Sequence, residues 1–330
     1  MRRWMLAGTG AMALCCSGMS LLHAQAQTRT PPQPQSRTEA DARARAESDR
    51  TERARLRAET GKPVELVHDY AAFYIKPVPA SFNIDTTFYK KYVDALGIPV
   101  LSSAKAPDAA LLIMRDIINS MLATRPDLRA SMIRRNWRTG VFAETEMTMD
   151  WPEYASFRCC GRSLDLPVEQ QDRDFHANRS RGMGGNPTTG AEENLLGYPN
   201  TRYWGEHIFV HEFAHAIHSA VRDVDPGMGR EISASFDSAM AAGKYITKRG
   251  AKHYATTNAG EYWAEGVQWW FFSNYGECFS GNTKVETPEE FMAYDPKLAE
   301  LIGRVFKTHR IEADVFHGKR IRPVTCPATP

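Results

Sequence analysis

The stretch IFVHEFAHAIHSAV, residues 208–221, constrains the fold more than any other part of the chain. Ile208, Phe209, Ala214 and Ile217 supply apolar surface to bury, which predicts a helix with one face against a core. On that helix His211 and His215 stand one turn apart on one side, where both imidazoles can reach a single ion. Glu212 sits beside them, placed to take a proton from an activated water. A hydrolytic zinc normally takes three protein ligands and keeps a fourth position open. The helix offers two. Another element must therefore bring a third ligand against it.

Spacing sorts the candidates. A third histidine in the metzincin pattern requires Gly at 218 and His at 221, and this chain has His218 and Val221. Glu231 and Asp237 lie in PGMGREISASFDSAM, which reads as a helix after the Pro226-Gly227 turn. The better candidates are Glu261 and Glu265, one turn apart in YATTNAGEYWAEGVQWWFFSN, residues 254–274. That segment otherwise carries Trp263, Trp269, Trp270 and Phe272, and two carboxylates on so apolar a helix are costly to bury without a cation or hydrogen bonds. Asn258 and Glu261 also have capping-box spacing, so Glu261 could cap the helix and leave Glu265 as the ligand.

The remaining features bound the setting. Among 330 residues, 41 Lys and Arg against 39 Asp and Glu leave a net charge of +2, which argues against a nucleic-acid or polyanion partner. Arg2 and Arg3, the apolar run from Trp4 to Leu22 and the small-x-small Ala24-Gln25-Ala26 read as a secretory signal peptide over 1–26. Export and release without stable membrane insertion, to a periplasmic or extracellular location, is the expectation. A lipid anchor on Cys15 or Cys16 is disfavoured by the residues before them. Residues 27–61, Pro/Gln-rich and then Ala/Arg/Glu-rich with almost no large apolar side chain, read as a disordered or helical charged tether.

Beyond the signal, Cys159, Cys160, Cys278 and Cys326 remain, an even count that suggests disulfides in an exported chain. The adjacent Cys159 and Cys160 are expected to bond different partners, with Cys278 and Cys326 as the candidates. The absence of a CxxC pair argues against a structural zinc built on cysteines.

DTTFYKKYVDAL, PDAALLIMRDIINSML and PDLRASMIRR read as helices, RTGVFAET as a strand, and 150–200 as long Gly- and Pro-rich loops. Helices and strands that do not alternate regularly argue for an α+β domain over 62–330.

The combination of HEFAH with YATTNAGEYWAE, residues 254–265, resembles the catalytic domain of anthrax lethal factor and is similar to the secreted Pro-Pro endopeptidases of that group, zinc peptidases of the gluzincin type. The resemblance implies a zincin-like fold of two lobes. An N-lobe of about 62–221 would end on the HExxH helix, and a mainly helical C-lobe would span about 222–330. It further implies one zinc ion on His211, His215 and Glu261, with Glu212 as general base. Tyr254 would donate to the oxyanion, and Glu265 would fix a ligand histidine through its other ring nitrogen. His218 and Asn258 would stand beside the ligands, and a peptide or protein would be the substrate.

The segment TTGAEENLLGY, residues 188–198, would then hold the edge strand that pairs with substrate. Within it, Gly190-Ala191-Glu192-Glu193-Asn194 resembles the amine-binding motif of zinc aminopeptidases, so Glu193 and Asn194 are candidate substrate contacts. Glu192 departs from that motif, and Ala234 occupies the position of the aminopeptidases' third ligand, so the aminopeptidase reading ranks second. A hydrolase of cell-wall amides and a non-catalytic zinc-binding protein are the other readings.

Overall fold

The computed structural model describes residues 75–154, 180–199, 201–319 and 323–326, all within one unit spanning Ser48–Pro330. The expected signal peptide and tether lie outside the described residues. So do Cys159 and Cys160.

A five-stranded mixed sheet forms one side of the molecule. Strands β1 (Lys91–Ala95) and β2 (Ile98–Ser102) make an antiparallel hairpin, and β3 (Thr139–Phe142) runs parallel to β2. Strand β4 (Gly182–Met183) and strand β5 (Thr188–Ala191) complete it in the order β1-β2-β3-β5-β4. The helix expected over DTTFYKKYVDAL does not form, and its second half is β1. Val93 and Ala95 point into the core while Asp94 is exposed, the period-2 pattern of a half-buried strand. A two-residue turn closes the hairpin, with Leu96 at φ 54° and Gly97 at φ 94°. Positive φ at both turn residues matches the right-handed twist of the flanking strands. The Asp94 carboxylate accepts the Gly97 N–H at 2.9 Å.

Helix α1 (Asp108–Met121) covers this sheet, and α2 (Pro126–Arg134) follows it with proline in its first turn, where a missing N–H costs nothing. After a single helical turn α3 (Glu192–Leu195) comes the long helix α4 (Ile208–Val224), which lies against β4, β5 and α2 on one side. Its other side meets α5 (Pro226–Ala241) and α6 (Ala259–Trp270). A short hairpin of β6 (Glu277–Phe279) and β7 (Thr283–Val285), then α7 (Pro288–Tyr294) and α8 (Pro296–Val305), complete the described chain.

The Trp-rich segment is core, as expected, and each indole N–H is satisfied. Trp263 donates to the Ala214 carbonyl at 3.1 Å, Trp269 to Tyr275 at 3.0 Å and Trp270 to Thr308 at 2.8 Å. The first of these ties α6 to α4 inside the HEFAH motif itself. A buried indole left without an acceptor would lose the desolvation cost of its N–H, so each bond fixes where α6 can sit.

Two expectations are corrected here. Cys278 bonds Cys326, with Cα atoms 5.5 Å apart, so neither takes Cys159 or Cys160 as partner. The edge strand is β4, not the 188–191 segment, which is held between β3 and β4 in the sheet interior. Its backbone is already paired on both sides and has no free edge to offer.

Candidate metal centre

Helix α4 starts at His207, whose Nδ1 faces the Val210 N–H at 3.4 Å, and its first two turns carry the histidine pair. Helix α6 starts at Asn258, whose Oδ1 accepts the N–H groups of Gly260 and Glu261 at 2.8 and 3.0 Å. Asn258 is therefore the cap of the second helix. The Glu261 side chain is left free to cross to α4, and the suggestion that it merely caps is answered by where its carboxylate lies.

Three donor atoms converge. Glu261 Oε2 is 3.0 Å from His211 Nε2 and 3.1 Å from His215 Nε2, and the two imidazole nitrogens are 3.2 Å apart. Tetrahedral ligands at zinc bond lengths stand about 3.3 Å from one another, so these separations are those of a shared ion. Glu265 is outside this group, which among the described residues comprises His211, His215 and Glu261.

The electrostatics call for a cation. Burial alone would hold the His211 imidazolium down, but Glu261, Glu265 and Glu212 override it and push the group up to about 10. Burial likewise raises Glu261, and its bonds to His211 and His215 reverse that and hold it well below the usual carboxylate range. Positive charge among these carboxylates is favourable, whether a proton or a metal supplies it.

Gln268, which sequence reasoning passed over, holds His211 from behind. Its Nε2 donates to the His207 carbonyl at 3.1 Å, which turns Oε1 toward His211 Nδ1 at 3.0 Å. A metal on Nε2 would leave the His211 proton on Nδ1, where Gln268 Oε1 can accept it. Glu265 faces the same nitrogen from farther off, its Oε1 3.7 Å from His211 Nδ1, while its Oε2 accepts from Asn274 at 2.7 Å. The signal was present: Gln268 lies seven positions after Glu261, two helical turns along the same face.

Glu212 and Tyr254 both line a cleft of about 630 Å³ with the three donors. Burial, offset by His211 and His215, raises the Glu212 carboxyl, as suits a proton acceptor. Burial and the Glu261 and Glu212 carboxylates keep the Tyr254 phenol protonated well above its ordinary range, so it remains a donor. Its ring lies 6.1 Å from that of His211. Glu206, also absent from the expectations, joins the cleft, where burial and then Glu265 push it up to about 7.

Strand β4 walls the cleft opposite. A Cβ on Gly182 would sit 2.5 Å from Ile208 Cγ2, and one on Gly184 would sit 3.1 Å from Glu212 Oε2. These two glycines of RGMGG let the edge strand lie directly on the face of α4 that carries Glu212 and His215.

Glu193 and Asn194 do not line this cleft. Glu193 forms a two-point pair with Arg181 at 2.6 and 3.0 Å, and Asn194 accepts the Ile208 N–H at 2.8 Å while donating to the Glu206 carbonyl. Both are buried and spent on internal bonds that position β4 and the start of α4. His218 is also buried, packed on Trp263 at 5.8 Å, with no hydrogen bond to a ligand histidine.

The chain matches no family profile and no curated protein. Among solved structures it is similar to the Pro-Pro endopeptidase from Paenibacillus alvei, at 12% identity and a TM-score of 0.40, covering 63% of this chain and 97% of that one. Both the sheet and the helices of the present chain belong to a mixed α+β architecture.

Proposed function

We propose that this chain is an exported zinc metalloendopeptidase of the gluzincin type. The observation that carries the reading is the convergence of His211 Nε2, His215 Nε2 and Glu261 Oε2 within 3.2 Å of one another, in the same cleft as Glu212 and Tyr254.

A zinc ion on those three donors would supply Lewis acidity, making water a nucleophile near neutral pH and polarising a carbonyl. The chain's own residues do the rest. Glu212 accepts the proton of the attacking water and returns it to the leaving amine. The Tyr254 hydroxyl donates to the oxygen that gains negative charge as the carbonyl carbon becomes tetrahedral. Gln268 holds His211 in the tautomer the site needs. Strand β4 is the last strand of the sheet, and an extended peptide laid beside it would align one amide over the ligands. That edge and the open cleft support a peptide as the substrate.

Export is supported by the N-terminal signal pattern and by the Cys278–Cys326 bond, and no helix among the described residues is long and apolar enough to cross a membrane. The aminopeptidase alternative loses support from the Arg181–Glu193 pair, which leaves that carboxylate unable to bind a free amine. The deciding experiment is Glu212→Gln on the mature chain. Zinc content near one per chain should survive while cleavage of a peptide library falls by at least about a thousandfold. Undiminished cleavage would remove Glu212 from the mechanism, and a chain that binds no zinc would sink the whole reading.

A further inference from the structure

A second groove, of about 700 Å³, shares His215 with the metal cleft and runs along α4 between α5 and the start of α6. Its character is the reverse of the cleft it adjoins. Glu206, Glu212, Glu261, Glu265 and Glu277 all line the metal cleft, whereas no carboxylate lines the groove. Arg222 and Arg230 line it instead, both exposed, and among the described residues neither guanidinium has an ion-pair partner. The nearby acids are engaged elsewhere. Asp223 is bonded by Ser131 and Arg134, Asp225 Oδ1 accepts the Met228 N–H at 2.9 Å, and Glu231 pairs with Arg304 at 2.7 Å.

Two features make this a built surface rather than a solvated one. The stem of Arg222 lies where Gly229 has no side chain, since a Cβ there would fall 2.9 Å from Arg222 Cγ. Glycine inside a helix costs stability relative to alanine, so its position in α5 has a packing consequence, the seating of Arg222. His218 lines the same groove about nine-tenths buried, and its Nε2 is enclosed without a hydrogen-bond partner. Burial and then Arg222 hold this imidazole neutral, at about 4, so it adds no charge to the groove.

The geometry points to the Arg222–Arg230 groove as a subsite for a carboxylate of the bound peptide, seated about three residues from the scissile bond. Arg222 stands seven positions beyond His215 on α4, about 10.5 Å along the axis, and an extended peptide covers about 3.3 Å per residue. A guanidinium is suited to grip a carboxylate at two points. The inference rests on the peptidase reading for its distance from the bond, while the carboxylate preference of the groove stands apart from it.

The test uses the zinc-loaded mature chain and a peptide library, with cleavage sites read by mass spectrometry. Asp or Glu should be enriched at one position, two to four residues from the bond and on one side only. Matched Glu and Gln peptides at that position should differ about five- to twentyfold in kcat/KM, mostly through KM, and less at high salt. In R222A/R230A the ratio should fall to near one, and Gly229→Ala, which displaces only the Arg222 stem, should lower it in part. Free-acid and amidated peptides distinguish a chain-terminal carboxylate from a side-chain one. No enrichment, or enrichment that persists in R222A/R230A, overturns the subsite. Should no peptide be cleaved, anisotropy of labelled Glu and Gln peptides on Glu212→Gln separates the two failures. Glu-dependent binding lost in R222A/R230A keeps the carboxylate site and rejects the peptidase, and equal binding rejects the site.

Discussion

Gln268 Oε1 stands 3.0 Å from Nδ1 of His211, on the side of the imidazole facing away from Glu261. The amide is held in that sense by its own donation to the His207 carbonyl, the residue that opens α4. One side chain therefore ties the start of the first helix, the tautomer of a ligand and the far end of the second helix together.

Gln268→Leu should lower zinc affinity about ten- to a hundredfold, the usual cost of losing a hydrogen-bond partner behind a metal-binding histidine. Gln268→Glu keeps the acceptor and should retain most of the affinity. Chelator competition measures both. Equal affinity in wild type and Gln268→Leu would show that His211 needs no such restraint.

Tyr254→Phe removes a donor without altering the ligand set. We expect kcat to fall roughly ten- to a thousandfold, with zinc content unchanged. The exposed position of the ring, at 55% accessible, means little packing is lost, so the melting temperature should move little. Loss of zinc in this variant would show that the phenol supports the ligands instead.

Part of this centre was legible in the chain, and the rest was hidden for separate physical reasons. His211, Glu212 and His215 are readable because helical periodicity alone puts them together. Glu261 needed a fold-level fact, that α6 crosses α4, and the tryptophans that lock this crossing were visible only as core. Gln268 was hidden because a neutral amide on a Trp-rich helix carries no motif. Glu193 and Asn194 misled because a local pattern says nothing of Arg181, which stands just before β4 and takes the Glu193 carboxylate. Strand β1 misled for a different reason. Phe88, Tyr89, Tyr92 and Val93 fit a helical spacing, while the hairpin depends on Leu96 adopting positive φ, rare for that residue. The disulfide depended on long-range proximity of Cys278 and Cys326, which spacing does not encode.

Gly184→Val tests whether β4 must lie against the catalytic face. Even a Cβ at this position comes within 3.1 Å of Glu212 Oε2 and 3.5 Å of His215 Cδ2, and the branched side chain adds to the crowding. The strand or the Glu212 side chain must shift. We expect kcat/KM to fall about a hundredfold, as misplacement by around an ångström costs, with zinc retained. Full activity would mean that β4 is not where substrate aligns.

Asp314 gives a stability prediction away from the metal. Burial, opposed by the Phe316 N–H, pushes its carboxyl up to about 7, and His207 Nε2 lies 4.0 Å from Oδ1 without bonding it. Since its folded pKa exceeds the ordinary 3.8, the fold favours the protonated acid. That contribution is complete below the unfolded pKa and is lost as pH rises through about 7. Asp314→Asn keeps the acceptor for Phe316 and stays neutral at every pH. Its stability advantage over wild type should be small near pH 4, grow as pH rises to about 7, and level off above at a few kcal/mol, on the order of 1.4 kcal/mol for each unit of pKa shift. Denaturant unfolding of the two chains across that range measures it. An advantage that does not change with pH would mean the native carboxyl titrates as it does in the unfolded chain.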